Sequence, residues 1–219
     1  HPVDRDPVCG YNGIIGDTCP QCGRAMKTPF TPIVTDREAV LTDAFFTAAC
    51  KCGCRAAVSA PCLYYDERRG AMLYLLPEAS AQAWRADTLT RAFPEVAGYQ
   101  KRIVTSVPQL REKIRLLEFG LDDRAVEMAK LAVAGWAAAR RAAHVRDVYF
   151  AELDEAERRI SFYLYTDRSA APMLYRARSE VYDASRDIAA TLPQPSDFCR
   201  IDMRWAAHTL VHFRETKEA

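Results

Sequence analysis

Between Val58 and Leu76 the hydrophobic residues recur in the manner of strands, through Leu63-Tyr64-Tyr65 and Met72-Leu73-Tyr74-Leu75-Leu76, around the polar stretch Asp66-Glu67-Arg68-Arg69-Gly70. The pattern predicts a β-hairpin over Ala56 to Pro77. Gln100 to Ser106, with Ile103 and Val104, reads as a further short strand. From Pro108 the rhythm changes: Leu110, Ile114 and Leu117 stand at i, i+4 and i+7, one face of a helix that opens near the proline and stops at Gly120.

A second helix is predicted from Arg124 to Arg141, capped by Asp122 or Asp123. Its second half, Leu131 to Ala139, is apolar on every side, which predicts the buried central helix of the fold. Val145 to Leu153 and Ile160 to Thr166 form a second hairpin around Asp154-Glu155-Ala156-Glu157-Arg158, with Ala171 to Tyr175 as a third strand. Ser179 to Thr191 reads as a helix and Pro193-Gln194-Pro195-Ser196 as a rigid connector. A last amphipathic helix, capped by Asp202, runs to Phe213 before a charged tail that frays. His1 to Thr18 lacks periodicity and reads as loop, Asp36 to Leu41 as a short helix or turn, and the alanine-rich Ala79 to Arg91 as a helix. There is no internal repeat.

Composition narrows the classes. A chain of 219 residues with 49% hydrophobic content can bury a core without disulfides. A formal net charge of +1 supplies no global field toward nucleic acid or an anionic membrane, so a protein partner is expected before a nucleic acid. No apolar run reaches the roughly 18 residues of a membrane span, and no charged-then-apolar leader opens the sequence. The expected setting is cytoplasmic.

Cysteine usage carries the chemistry. Five of the eight cysteines fall in two clusters, Cys19-Pro20-Gln21-Cys22-Gly23 and Cys50-Lys51-Cys52-Gly53-Cys54. A Cys-Pro-x-Cys-Gly turn aims two thiolates at one point, and a second turn of that kind completes a tetrahedral sulfur site suited to Zn2+. Cys19, Cys22, Cys50 and Cys52 form the simplest ligand set. The second cluster is one residue short of the regular spacing, so Cys54 is an alternative for Cys50 or Cys52. Cys9, in a sequence resembling half of another knuckle with Asp6 where its first cysteine would stand, is ambiguous. An iron–sulfur cluster would also use such a set. A Cys19-Cys22 redox pair fits less well, because the motif leads toward Pro29 and Pro32 rather than into a helix.

Read in order, these motifs resemble the CpXC family of bacterial proteins, named for two Cys-Pro-x-Cys motifs. The resemblance rests on Cys19 to Gly23, on Cys52-Gly53 followed by Pro61-Cys62-Leu63-Tyr64-Tyr65-Asp66, and on Met72 to Glu78. It continues through Arg102-Ile103-Val104, the helix from Leu110 to Gly120, Leu121 to Arg124, Asp147 to Phe150 and Ile201 to Ala206. What it implies is a zinc-binding domain without an assigned activity. The second motif departs from the family pattern in its missing proline and irregular spacing.

His208 and His212 stand four apart on the last helix, with Glu215 one turn on, a spacing that places ligands on one helical face. With His144 they would form the pocket of a metal-dependent or histidine-assisted enzyme, although no general-base glutamate follows His208. Arg140, Arg141 and Arg146, or Arg176 and Arg178 beside Tyr149 and Tyr175, would make a local basic patch, and Tyr64, Tyr65, Tyr74 and Trp84 an aromatic surface. The expected architecture is α+β: an N-terminal zinc ribbon with its β-hairpin over 1–78, then a domain over 79–219 of central helices, a second antiparallel sheet and C-terminal helices. The expected function is that of an interaction module whose four-cysteine site is structural.

Overall fold

The computed structural model describes residues 13–58, 60–77, 98–141 and 143–218. Cys9, Asp6, the loop reading before Gly13, the helix expected at Ala79 to Arg91 and Trp84 lie outside the described residues. The chain divides into two units, His1–Arg111 with Pro195–Cys199, and Glu112–Gln194 with Arg200–Ala219. The fold is α+β, as the hydrophobic pattern predicts.

In the first unit, β1 (Gly13–Thr18) and β2 (Ala25–Phe30) pair antiparallel, and so do the three-residue strands β4 (Thr47–Ala49) and β5 (Arg55–Ala57). The first pair corrects the reading of Gly13 to Thr18 as loop: strands spelled GIIGDT and AMKTPF show no alternation, and the turn between them sets their pairing. Helix α1 (Arg37–Leu41) is nucleated by Asp36, whose carboxylate accepts the Ala39 N–H at 3.1 Å.

The main sheet of this unit has the order β3 (Ile33–Val34), β6 (Cys62–Asp66), β7 (Ala71–Leu75), β8 (Gln100–Val104), with the outer pairs parallel and β6–β7 antiparallel. Every residue of β7 is buried, as expected of a central strand covered on both faces. Tyr64 and Tyr74 are therefore core, while Tyr65 stacks on Tyr99 at 5.8 Å. The aromatic surface expected from these residues is reduced, among the described ones, to that stacked pair.

The division between units falls inside helix α2 (Val107–Glu118). Leu110, Ile114 and Leu116 are buried, whereas Leu117 is only half-buried. The second unit holds the latter part of α2, helix α3 (Asp123–Arg141), the antiparallel meander β9 (Val145–Asp154), β10 (Arg159–Thr166) and β11 (Ser169–Arg178), helix α4 (Glu180–Ala190) and helix α5 (Met203–Glu218). Ile160, Phe162 and Leu164 alternate inward from β10 and pack with Val126 and Val133 of α3. Asp202 caps α5 through the Trp205 N–H at 2.9 Å, and the helix continues past Phe213 to Glu218.

Helix α3 corrects one expectation. Its sealed half is the first, Asp123 to Lys130, while in the apolar half Gly135 is exposed and Trp136 is 47% exposed. The first half can be buried because its charges are neutralised by charges on α2. Lys113 Nζ lies 3.0 Å from Asp123 and 2.9 Å from Glu127, and Lys130 Nζ lies 2.8 Å from Glu112 and 3.0 Å from Glu127. Glu112 also accepts the Phe150 N–H at 2.5 Å, which occupies a donor on the edge strand β9.

Candidate metal centre

Each cysteine cluster is the tip of one of the short hairpins. In the first, the Cys19 N–H donates to the Arg24 carbonyl at 2.8 Å and the Gly23 N–H to the Cys19 carbonyl at 2.9 Å. In the second, the Cys50 N–H donates to the Cys54 carbonyl at 2.8 Å and the Gly53 N–H to the Cys50 carbonyl at 2.9 Å. The second loop thus closes one residue sooner, which accounts for its irregular spacing without disrupting the turn.

Both loops use a glycine in left-handed backbone, Gly23 at φ 69° and Gly53 at φ 89°, and a Cβ at either position would meet no neighbouring atom. The requirement is conformational rather than steric. Forcing an L side chain into this region costs about 1–2 kcal/mol, so, if the cysteines hold an ion, Gly53→Ala is expected to leave them in place while weakening its retention by about tenfold. Competition against a graded series of chelators measures this, and an unchanged midpoint would show that the loop tolerates the strain.

The two tips bring four sulfurs together. The Sγ atoms of Cys19, Cys22, Cys50 and Cys52 all lie within 4.8 Å of one another, with Cys19–Cys52 at 3.7 Å and Cys22–Cys50 at 3.6 Å. These are not disulfide distances. A tetrahedron with zinc–sulfur arms of about 2.3 Å has edges of about 3.8 Å, so the quartet has the dimensions of a four-thiolate metal site. Cys54 lies outside it, its thiol directed to the Arg55 carbonyl at 3.7 Å. Beneath the tips is a small core of Cys19, Met26, Ala48 and Val58.

The electrostatics of the bare thiols point the same way. The backbone amide of Cys22, helped by that of Gln21, holds the Cys19 thiol down to about 6 against the opposing effect of burial. For Cys22 the Arg24 amide is favourable, yet desolvation and the neighbouring thiols push it up to about 12. Cys52 is also raised: the Cys54 amide favours its thiolate, but hydrogen bonding to Cys50 and desolvation outweigh it. Four thiols this close cannot all ionise together without a cation among them, and a divalent ion removes that obstacle. The donor set therefore fits a metal ion. Cys62, by contrast, is pushed up to about 12 by burial and is a core thiol.

Among the described residues the histidines are not drawn into a group of three potential ligands. His208 and His212 meet edge to face with ring centroids 4.6 Å apart, and His212 Nδ1 lies 3.3 Å from Glu215 Oε2, but all three are exposed, as is His144. Among the described residues, the cysteine quartet is the only group of three or more potential ligands drawn together. Spacing correctly brings the two imidazoles side by side, but the helix face bearing them looks outward. The buried carboxylate–lysine cluster carries no motif; the Glu127–Lys130 spacing of one helical turn is its single local sign.

No helix among the described residues is long and apolar enough to cross a membrane. No curated protein and no solved structure shows significant similarity to the chain. The family model for CpXC proteins matches residues 17–130, a stretch that includes both cysteine clusters, the main sheet of the first unit and the sealed half of α3, and the chain belongs to the CpXC family.

Proposed function

We propose that Cys19, Cys22, Cys50 and Cys52 hold a structural Zn2+ and that the protein acts as an interaction module, with a protein partner favoured over nucleic acid. The observation that carries this reading is the closed sulfur quartet: four thiolates fill a tetrahedral ion and leave no position for substrate or activated water. Function then belongs to a surface. A groove of about 670 Å³ beside the second knuckle supports this, lined by Phe46, Ala56, Val58, Val107 and Pro108 together with Asp43, Arg55 and Arg111. Its mixture of apolar and charged groups suits a protein segment, and the net charge of +1 offers nucleic acid no general attraction. Because the site requires reduced thiols, a cytoplasmic setting goes with this reading.

Two measurements test the reading. Elemental analysis of the purified chain is expected to give one zinc per chain in a colourless protein; iron with absorption beyond about 400 nm would replace zinc by a cluster. Affinity capture from cells is expected to recover a protein whose binding is lost in a Pro108→Asp variant. Recovery of the same partner with that variant, or of nucleic acid alone, would remove the groove from the proposal.

A further inference from the structure

Independently of the metal centre, the geometry points to an anion-binding site in the second unit, formed by Arg158, Arg159, Arg176 and Arg178 and suited to a phosphate-bearing small molecule. Its construction follows from strand register. Ala177 and Ile160 face inward, so Arg176 and Arg178 of β11 share the outer face with Arg159 of β10. Arg159 and Arg178 are direct cross-strand partners, and one step along the same face Arg176 stands opposite Ser161. Arg158 joins them from the preceding turn, in left-handed backbone at φ 50°. The four guanidinium groups line a concavity of about 400 Å³ with Glu157 and Glu180 as its acidic members.

Like charges directly opposite one another on neighbouring strands destabilise a sheet. Acids offset this arrangement only in part. Arg158 reaches Glu180 at 3.5 Å between two exposed side chains, and Asp154, the β9 partner of Arg159, spends a carboxylate oxygen on the Glu157 N–H at 2.9 Å. Among the described residues Arg159, Arg176 and Arg178 form no ion pair. Four positive and two negative side chains leave the concavity with a net charge of +2. Guanidinium groups present planar pairs of donors that match phosphate oxygens two at a time, and three of these sit on strands rather than on a loop, so the backbone positions from which they extend are fixed before a ligand arrives. The cavity exceeds what one orthophosphate needs, and on the same face the next residues along, Tyr163 and Leu174, are 39% and 37% exposed. They offer a flat apolar neighbour to any ring attached to the phosphates.

Calorimetric titration of the intact, metal-loaded chain with inorganic pyrophosphate at low ionic strength tests the site, with adenosine diphosphate as a second probe. Saturable binding that weakens with added salt is expected for the wild type. The Arg159→Gln, Arg178→Gln variant should bind at least about tenfold more weakly while melting no lower than the wild type, since it removes a repulsion. Arg176→Gln should weaken binding without touching that pair. If adenosine diphosphate binds more tightly than pyrophosphate and loses that advantage in Tyr163→Ala, the ring is seated as inferred. Absence of saturable binding by either probe, or affinities unchanged in the arginine variants, would overturn the proposal.

Discussion

Removing the metal, or replacing Cys19 by serine, is expected to unfold the two cysteine hairpins while leaving the second unit folded. The hairpins have little else to hold them. One pairs six-residue strands and the other three-residue strands, and the core they share comprises Cys19, Met26, Ala48 and Val58. Two-stranded hairpins of this size are marginal in water, so the free energy of binding the proposed ion would in effect be their folding free energy, as in small zinc domains where it amounts to about 10–16 kcal/mol. The effect on metal content should be complete, from one ion per chain to none. Proteolysis within residues 13–58 should accelerate by about tenfold or more, because cleavage follows the population of opened chain.

Companion variants separate this from simple damage to the fold. Cys54→Ser should retain the ion, since its thiol points to a backbone carbonyl, and Cys62→Ser should retain it too, since Cys62 is a buried residue of β6 outside the quartet. Metal loss in Cys54→Ser with retention in Cys50→Ser would falsify the ligand set and return Cys54 to it. A Cys19→Ser protein that stays protease-resistant without metal would show that the strands hold themselves.

What the sequence disclosed and what it hid divide along physical lines. The knuckles were legible because such a turn needs cysteines and a glycine at fixed local spacing; the shortened second loop still places the sulfurs of Cys50 and Cys52 near those of Cys19 and Cys22. The hairpin over Cys62 to Leu75 and the β9–β10–β11 meander were legible because long apolar stretches flank charged turns. Strands β1 and β2 were not, since their pairing is set by the knuckle between them and leaves no alternation to read. Helix α3 misled for a different reason. Apolarity marked Leu131 to Ala139 as central, yet Glu127 and Lys130 are sealed by partners 14 and 18 residues away, and neutralisation over such separations leaves no periodic trace. The arginine concavity also depends on register, which places Arg159 opposite Arg178.

Lys130→Met should destabilise the second unit by about 3–5 kcal/mol, whereas Glu112→Gln should change its stability by less than about 1 kcal/mol. The cluster contains three carboxylates, Glu112, Asp123 and Glu127, and two ammonium groups, Lys113 and Lys130, all nearly inaccessible to solvent. Burial opposes the charge on both lysines, but Asp123 and Glu127 around Lys113, and Glu112 and Glu127 around Lys130, outweigh it and hold each amine above its ordinary range. Methionine at 130 matches the lysine stem and is as good a helix former, so packing and propensity are preserved. What is lost is the cation bridging Glu112 and Glu127, leaving two buried carboxylates facing each other. Glu112 is the charge the fold can spare: burial pushes its carboxyl up, and Lys130 only partly restores it. A carboxyl raised on folding binds its proton more tightly in the folded chain, so the stability it contributes is full at low pH and declines as pH rises through its folded value. Glutamine keeps an oxygen for the Phe150 N–H and leaves the remaining charges balanced, so its standing against the wild type should improve with rising pH. Urea unfolding followed through Trp136 and Trp205, both in this unit, measures each variant. A loss below about 1 kcal/mol for Lys130→Met would mean that the cluster is solvated in solution, and a larger loss for Glu112→Gln than for Lys130→Met would place the indispensable charge on the acid instead.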